Sequence, residues 1–170
     1  MKAIILSTDH FEDAELTEPL KQLEQAGVEC DIASLQSGII KGKKGAEVVA
    51  GMTLNEVNPD SYELLLLPGG AAPANLRQSQ RALDIAKHFF ADGKLVAAIC
   101  HGPQILVSAN LLEGRKATCY ERISDELIEA GAVYLDQPLV IDDNLITSRH
   151  PGDLHEFNKA ILTKLQPANA

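Results

Sequence analysis

Three short, mainly apolar runs constrain the fold of this chain more than any other feature. They occupy residues 2–7, 63–67 and 95–99, and each has the length of a strand rather than that of a helix. Runs that lack polar alternation are typical of strands covered on both faces, as in a parallel sheet. We therefore expect a central sheet that lies between two layers of helices.

The segments around these runs show alternating helical and extended patterns. Helices are predicted at residues 14–27, 78–91, 102–109, 123–130 and 153–165. Extended structure is predicted as a strand at 28–34, a small hairpin or excursion at 39–50, and strands at 139–141 and 145–148 around a turn. The tail 166–170 is expected to fray. This order predicts an α/β fold with a mostly parallel sheet, in a single domain that covers residues 1–170.

Composition and charge limit the kinds of partner and the cellular location that are expected for this chain. The chain has 24 acidic residues against 15 Lys and Arg, a net charge of −9. This argues against nucleic acid or an anionic membrane as a partner, because both require a basic surface. No segment approaches the ~20 apolar residues of a membrane helix, and the apolar stretch at the N-terminus is too short for a signal peptide. Three cysteines without close spacing fit reduced thiols, so we expect a cytoplasmic protein.

Cys100 stands where the third apolar run meets a helical pattern. Ala98 and Gly102 flank it two positions to either side, and such small residues fit a nucleophile elbow, in which a strand turns sharply into a helix. The N-terminus of that helix would favour the thiolate form of the side chain. We predict that this cysteine is a nucleophile rather than a core residue.

Other candidate residues are expected near Cys100, because ligands bind beyond the carboxyl ends of parallel strands. His101 follows the cysteine, so its backbone N–H can stabilise an oxyanion and its ring can act as a general base. Gly69 and Gly70 follow the second apolar run and allow a second backbone donor to approach a ligand closely. Together these residues predict a site for attack on a carbonyl group.

Acidic residues crowd the first strand–helix junction, where they complement the helix dipole. One of them can also tune the thiol, and the residue pattern alone leaves Glu12 and Glu15 as alternatives. The remaining histidines show no metal-ligand spacing, and the chain has no phosphate-binding glycine motif. We therefore expect neither a metal nor a cofactor.

The block AICHGPQ at residues 98–104 is highly specific. Together with LPGG at 67–70 and FEDAE at 11–15, it resembles the PfpI-type branch of the DJ-one/PfpI superfamily. That branch comprises intracellular peptidases and protein deglycases and is related to the class I glutamine amidotransferases. The resemblance extends over essentially the whole chain, and it implies a flavodoxin-like three-layer sandwich.

The resemblance also implies roles for individual residues. Cys100 would be the nucleophile, His101 its partner, and Glu15 the buried acid that hydrogen-bonds the cysteine. The oxyanion donors would be the backbone N–H groups of Gly70 and His101. Further pocket or secondary residues would be Glu12, Gly69 and Tyr120. The family relationship implies a homodimer or a homohexamer whose active site lies near a subunit interface.

One position departs from the family's pattern. In the peptidase members, an acid five residues after the first glycine of LPGG reaches a histidine of a neighbouring subunit. Here that position is Ala74, which cannot orient an imidazole, and the adjacent Asn75 is uncharged. The peptidase triad is therefore incomplete, whereas the pair of Cys100 and Glu15 is intact.

The favoured function is a cysteine-dependent enzyme that acts on reactive carbonyls, of the glyoxalase III or protein deglycase type, with a stress-protective role. Its partners would be small aldehydes, or glycated proteins and peptides as substrates. Two alternatives stay open. One is an intracellular cysteine peptidase, and the other is a redox sensor or stress chaperone that uses the oxidation of Cys100 instead of catalysis.

Overall fold

A seven-stranded sheet forms the centre of the computed structural model, which describes residues 1–166. The strands of this sheet and of two smaller two-stranded pairs, β3–β4 and β8–β9, are numbered together in chain order. They are β1 (Lys2–Leu6), β2 (Glu29–Ser34), β3 (Gly38–Lys41), β4 (Glu47–Ala50), β5 (Met52–Thr53), β6 (Leu64–Leu67), β7 (Leu95–Ile99), β8 (Lys116–Ala117), β9 (Val133–Tyr134), β10 (Val140–Asp142) and β11 (Leu145–Ser148). The sheet has the order β10-β11-β7-β6-β1-β2-β5, and only β10 runs antiparallel to its neighbour. The carboxyl ends of β1, β6 and β7 therefore meet at one edge.

Helices cover both faces of this sheet. They are α1 (Asp13–Gln25), α2 (Ala72–Leu76), α3 (Gln80–Ala91), α4 (Pro103–Ser108), α5 (Ser124–Glu129) and α6 (Leu154–Leu165), with short 3-10 turns at Leu54–Glu56, Pro59–Ser61, Glu121–Ile123 and Pro151–Asp153. One core lies under α3 and α4 and includes Phe89 and Ile105, and the other lies under α1 and α6 and includes Leu16 and Phe157. None of the helices within residues 1–166 combines the length and apolar character needed to cross a membrane.

The predicted α/β sandwich is confirmed, although some element bounds differ from those predicted. The helix predicted at 78–91 begins at Gln80 because Ser79 caps it, with its Oγ accepting the N–H of Ala82 at 3.4 Å. The short helix α2 and the β8–β9 pair were not predicted, since segments of two to five residues show no periodicity. Of the tail predicted to fray, residues 167–170 lie outside the described residues.

The hairpin predicted at 39–50 is the β3–β4 ribbon, which lies outside the main sheet. Its loop, residues 42–46, is bound to the start of α1, and we call it the clasp loop. The carboxylate of Asp13 accepts the N–H of Lys44 at 2.9 Å and the N–H of Ala46 at 2.7 Å. Phe11 forms backbone bridges to Gly42 on one side and to Gly70 on the other. The hairpin is thereby held beside the edge where the candidate residues lie.

Candidate active site

Cys100 lies in the sharp turn between β7 and α4 with a φ of 64°. This left-handed conformation is uncommon for a residue with a side chain, and surrounding contacts must hold it. Here the Cys100 N–H donates to the carbonyl of Ser148 at 3.0 Å, and its own carbonyl accepts the N–H of Tyr120 at 2.9 Å. A Cβ at Gly102 would collide with the carbonyl oxygen of Leu67, so this flank must be glycine. The predicted elbow is present.

Glu15 is fully buried in the first turn of α1, beside the nucleophile. Its Oε1 accepts the N–H of Gly69 at 2.9 Å, whereas its buried Oε2 has no hydrogen-bond partner within residues 1–166. A Cβ at Gly69 would lie 2.5 Å from that Oε1 and 2.8 Å from the Cβ of Cys100. Of the two acids that the residue pattern left open, the structure therefore brings Glu15 next to the cysteine.

The pKa values of this pair are strongly shifted. Burial raises the pKa of Glu15 to about 8, and the N–H of Gly69 opposes that effect only in part. Burial also raises the pKa of Cys100 to about 12, and negative charge on Glu15 adds to it. A protonated Glu15 removes this second cause, so at neutral pH the acid can donate a proton or hydrogen bond without opposing a thiolate.

Two backbone N–H groups point towards the sulfur. The N–H groups of Gly70 and His101 both donate towards the Sγ of Cys100. They lower the pKa of this thiol, whereas burial raises it. Gly70 has a φ of 83° and packs so closely on the backbone of Phe11 and Glu12 that no Cβ fits there. Donors arranged in this way can stabilise the oxyanion that forms when a thiolate adds to a carbonyl.

The ring of His101 lies against the nucleophile, with its Nδ1 3.3 Å from the Sγ of Cys100. Its other neighbour is the ring of Tyr120, whose centroid is 5.0 Å away. Burial lowers the pKa of His101, and the positive charge of Lys43 lowers it further, so the imidazole is neutral at neutral pH. Within residues 1–166 no carboxylate hydrogen-bonds to this ring, so the chain by itself presents a Cys–His dyad rather than a triad.

A cavity of about 560 Å³ opens above the nucleophile. The predicted pocket residues Glu12 and Tyr120 line it, and Ala74 lies in the same wall, where the peptidase pattern would have placed its acid. Glu12 is itself buried, yet hydrogen bonds from Lys43 and Lys44 outweigh the effect of burial and hold its pKa below the usual value. The cavity wall thus carries an ionised, paired acid, whereas the protonatable Glu15 is fully buried beside Cys100 and does not line the cavity.

Several residues of the cavity had no predicted role. They are Lys43, Gln104, Arg122 and His150. The sequence offers a signal for only one of them, because Gln104 stands one helical turn after Cys100 inside the AICHGPQ block. Its Nε2 donates to Glu126 at 2.8 Å, and Glu126 pairs with Arg77 at 2.7 Å. This network fixes the orientation of Gln104 at the cavity wall.

A separate group of titratable side chains lies at the opposite edge of the sheet, before the starts of β6 and β7. The Nε2 of His88 is 2.7 Å from a carboxylate oxygen of Asp60 and 3.2 Å from one of Asp92. Their ligand-type atoms lie within 4.8 Å of one another. The sequence did not indicate this group, because Asp60 is 28 residues away from the histidine. It has no part in the site at Cys100.

Comparison with known proteins identifies the family. The model of the DJ-1/PfpI family matches residues 1–164. The chain belongs to the DJ-1/PfpI family. It is 46% identical to Deglycase PfpI of Pyrococcus furiosus over 98% of its own length and 100% of the relative's. It is 44% identical to Protein/nucleic acid deglycase 2 of Escherichia coli, over 96% of this chain and 97% of that one, and 42% identical to General stress protein 18 of Bacillus subtilis, over 97% and 98%.

Solved structures of the DJ-1/PfpI family share the fold. A two-domain protein from Anabaena variabilis, with DJ-1/ThiJ/PfpI-like and ferritin-like domains, superposes with a TM-score of 0.95 at 41% identity. The match covers 97% of this chain and 48% of that protein, so this DJ-1/PfpI chain spans about half of the two-domain protein. The predicted family is confirmed, and the names of the relatives support an enzyme of deglycase type within it.

Proposed function

We propose that this protein is a cysteine-dependent enzyme of deglycase or glyoxalase III type that acts on reactive carbonyls. The observation that supports it most directly is the buried Glu15 beside Cys100, with a pKa raised to about 8. Such a carboxyl can both give and accept a proton near neutral pH, which carbonyl rearrangement requires. The deglycase names of the relatives agree with this chemistry.

The first step of the proposed reaction is the addition of Cys100 to an aldehyde carbon, and the neutral ring of His101, whose Nδ1 is 3.3 Å from the Sγ, takes the thiol proton as the bond forms. An Sγ–C bond forms, and the electron pair of the carbonyl moves onto its oxygen. The N–H groups of Gly70 and His101 stabilise that oxyanion, which then takes a proton to give a hemithioacetal. With a glycated substrate, the aldehyde is held as a hemiaminal or hemithioacetal, and its C–N or C–S bond breaks first, with transfer of the hydroxyl proton to the leaving amine or thiol. The protein partner is thereby released, and Cys100 then adds to the freed aldehyde.

The second step converts the adduct of a 2-oxoaldehyde into a hydroxy acid. The base, Glu15 or the ring of His101, removes the proton from the former aldehyde carbon, and a proton is returned at the neighbouring ketone carbon. The former aldehyde carbon is oxidised to a thioester while the ketone is reduced to an alcohol, so no external oxidant is needed. Water then cleaves the thioester and releases lactate from methylglyoxal, or glycolate from glyoxal.

The substrates, the cellular location, the oligomeric state and the biological role are proposed on the same basis. Small aldehydes and glycated proteins would be the substrates, in the cytoplasm, with a homodimer or homohexamer as the working form. A stress-protective role would fit the name of the B. subtilis relative. The net charge of −9 is the reason why we do not expect nucleic acid to bind by charge attraction.

Peptide hydrolysis is the second candidate function, because the ring of His101 lies 3.3 Å from the Sγ of Cys100. A cysteine peptidase needs that ring to act as a base and then as an acid. Ala74 cannot supply the carboxylate that would orient it. We therefore consider peptide hydrolysis less well supported than carbonyl chemistry.

The decisive experiment measures the turnover of methylglyoxal and of fluorogenic peptides side by side, after trace metal has been removed with a chelator. We expect lactate formation from the wild type, a loss of at least about a thousandfold in Cys100→Ala, and a large loss in Glu15→Gln. Cys30→Ala is the matched control and should retain activity. Full turnover by Cys100→Ser, or peptide cleavage without aldehyde turnover, would overturn the proposal.

A further inference from the structure

The charges around the cavity differ in sign from those of the chain as a whole. The chain carries a net charge of −9, yet the side chains that line the cavity include two permanent cations, Lys43 and Arg122. The one ionised acid there, Glu12, is paired with two lysines. A cleft lined by cations concentrates anions, even on an acidic protein.

The clasp loop determines where the first cation lies. The backbone N–H of Lys43 donates to the carbonyl of Phe11 at 3.0 Å, and Asp13 accepts the N–H groups of Lys44 and Ala46 further along the loop. Gly42 is required at this junction, since a Cβ there would collide with the carboxylate of Asp13. The loop is therefore built against the active-site edge, and it positions the ammonium of Lys43 over the cavity.

The two lysines of the clasp loop differ in a way that separates a structural role from a binding role. Both bind the carboxylate of Glu12, but only Lys43 lines the cavity. The side chain of Lys43 is 48% exposed and that of Lys44 is 68% exposed, so solvent screens the second more strongly. The charge of Lys43 is also coupled electrostatically to Cys100 and Glu15.

Arg122 supplies the second cation from another segment. It lies in the 3-10 turn that follows Tyr120, whose backbone is bonded to the carbonyl of Cys100. Its guanidinium forms no ion pair with any acid in the part of the chain that is described, whereas the neighbouring Glu126 is already paired with Arg77. A free guanidinium at a cavity wall is suited to bind a carboxylate or phosphate with two hydrogen bonds.

We propose that Lys43 and Arg122 form an anion-binding subsite above Cys100, which selects carbonyl substrates that bear a carboxylate or a phosphate group. This inference rests on the proposed function and specifies its substrate class. With the carbonyl oxygen at the N–H groups of Gly70 and His101, the anionic end of the substrate lies at the two cations. Small neutral aldehydes still fit the cavity but lack that contact.

The alkylation of Cys100 tests the subsite without any assumption about turnover. Iodoacetate and iodoacetamide have nearly the same size and leaving group, and only the first is an anion. The ratio of their rate constants therefore cancels the fraction of thiolate and reports the charge near the sulfur. Peptide mass mapping follows Cys100 separately from Cys30 and Cys119.

We expect the iodoacetate-to-iodoacetamide ratio at Cys100 to be about tenfold higher than for N-acetylcysteine, as a nearby cation in a partly screened cavity would produce. Lys43→Met should lower the ratio about fivefold to tenfold, and Arg122→Met should lower it at least twofold. Lys44→Met is the matched control, with the ratio kept within twofold. A wild-type ratio equal to that of N-acetylcysteine, or equal losses in Lys43→Met and Lys44→Met, would overturn the proposal.

Protection experiments separate the two kinds of anionic group. Acetate and inorganic phosphate are each titrated against the alkylation of Cys100 by iodoacetamide. Protection by phosphate alone assigns the subsite to phosphate esters, and protection by acetate assigns it to carboxylates. Absence of protection by both, up to high millimolar concentration, contradicts the subsite.

Turnover gives the last test and distinguishes failure of the subsite from failure of the proposed function. We expect kcat/KM for 4,5-dioxovalerate, a 2-oxoaldehyde with a terminal carboxylate, to exceed that for methylglyoxal, and Lys43→Met to lower the ratio of the two values towards one, whatever its effect on each of them. Equal preference in wild type and Lys43→Met contradicts the subsite alone. No turnover of either compound contradicts the proposed function, and the alkylation ratios then decide on the subsite by themselves.

Discussion

The backbone N–H of Gly69 donates to the carboxyl of Glu15 at 2.9 Å, and this contact leaves no space for a side chain at the glycine. A Cβ there would press on both the Oε1 of Glu15 and the Cβ of Cys100. The backbone of Gly69 therefore packs against both the acid and the nucleophile and sets the spacing between them. That spacing is a property of the loop after β6, which neither side chain could establish alone.

Gly69→Ala should separate the acid from the nucleophile. We expect a loss of turnover of at least about a hundredfold, and a decrease in the free energy of unfolding of about 1–3 kcal/mol, because the new methyl group overpacks a buried site. Turnover assays and urea denaturation measure the two effects. Gly51→Ala is the control, since a Cβ at Gly51 meets no atom within 4 Å, and equal behaviour of the two variants would contradict the prediction.

The pH dependence of stability should reveal the buried carboxyl of Glu15. Its pKa is raised to about 8 in the folded state, above the value of about 4.5 expected when it is unfolded. The folded state therefore binds a proton that the unfolded state has lost between these pH values, and stability falls as pH rises through that window.

Urea denaturation of wild type and Glu15→Gln over pH 4–9 measures this contribution. The wild type should lose stability relative to the variant by up to about 1.4 kcal/mol per pH unit between about pH 4.5 and 8, and the difference should level off above pH 8. Parallel curves for the two proteins would show that the carboxyl titrates normally.

The backbone of Cys100 predicts an unusual order of stability among its variants. Because its φ is 64°, Cys100→Gly should be about 1 kcal/mol more stable than Cys100→Ala, although glycine normally destabilises folded proteins. At Cys30, which lies within strand β2, the order should be reversed. Thermal or urea denaturation of the four variants checks both orders, and a less stable Cys100→Gly would be the contrary result.

Alkylation at high pH should separate the thiol of Cys100 from the other cysteines. Burial is the first cause that raises the pKa of Cys30 and Cys100, to about 12 in each, but charge on Glu15 contributes only at Cys100. At pH 9, where Glu15 is ionised, Glu15→Gln should accelerate the reaction of Cys100 with iodoacetamide by up to about tenfold. Cys30 in the same protein is the internal control, and an equal acceleration there would indicate general loosening of the fold.

Features that depend on residues adjacent in the chain were predicted from the sequence. The strands β1, β6 and β7 were predicted because their apolar runs are short and uninterrupted. The elbow was predicted because Ala98 and Gly102 leave room for a tight turn, and the φ of 64° at Cys100 agrees with that reasoning. The choice of Glu15 over Glu12 came from the family resemblance and not from the spacing of acids, since both lie at the same junction.

Features that depend on distant contacts were not predicted. The place of Lys43 depends on hydrogen bonds between the carboxylate of Asp13 and N–H groups 31 and 33 residues further along the chain. Arg122 reaches the cavity because the backbone of Tyr120 is bonded to Cys100, again a contact between separate segments. Neither arrangement leaves a periodic pattern, so the sequence predicted a hairpin at 39–50 but no role in the site for Lys43 or Arg122.

The two backbone bridges of Phe11 join the clasp loop, at Gly42, to the loop after β6, at Gly70. The proposed oxyanion donor and the loop of the proposed anion-binding subsite are thereby held by one segment, although they come from different stretches of the chain. Under the proposed subsite, substitutions at residue 43 would alter which molecules bind, while the backbone that holds Cys100 stays in place. A scaffold of this kind can diversify its substrates in evolution by small changes in a single hairpin, while its chemistry stays constant.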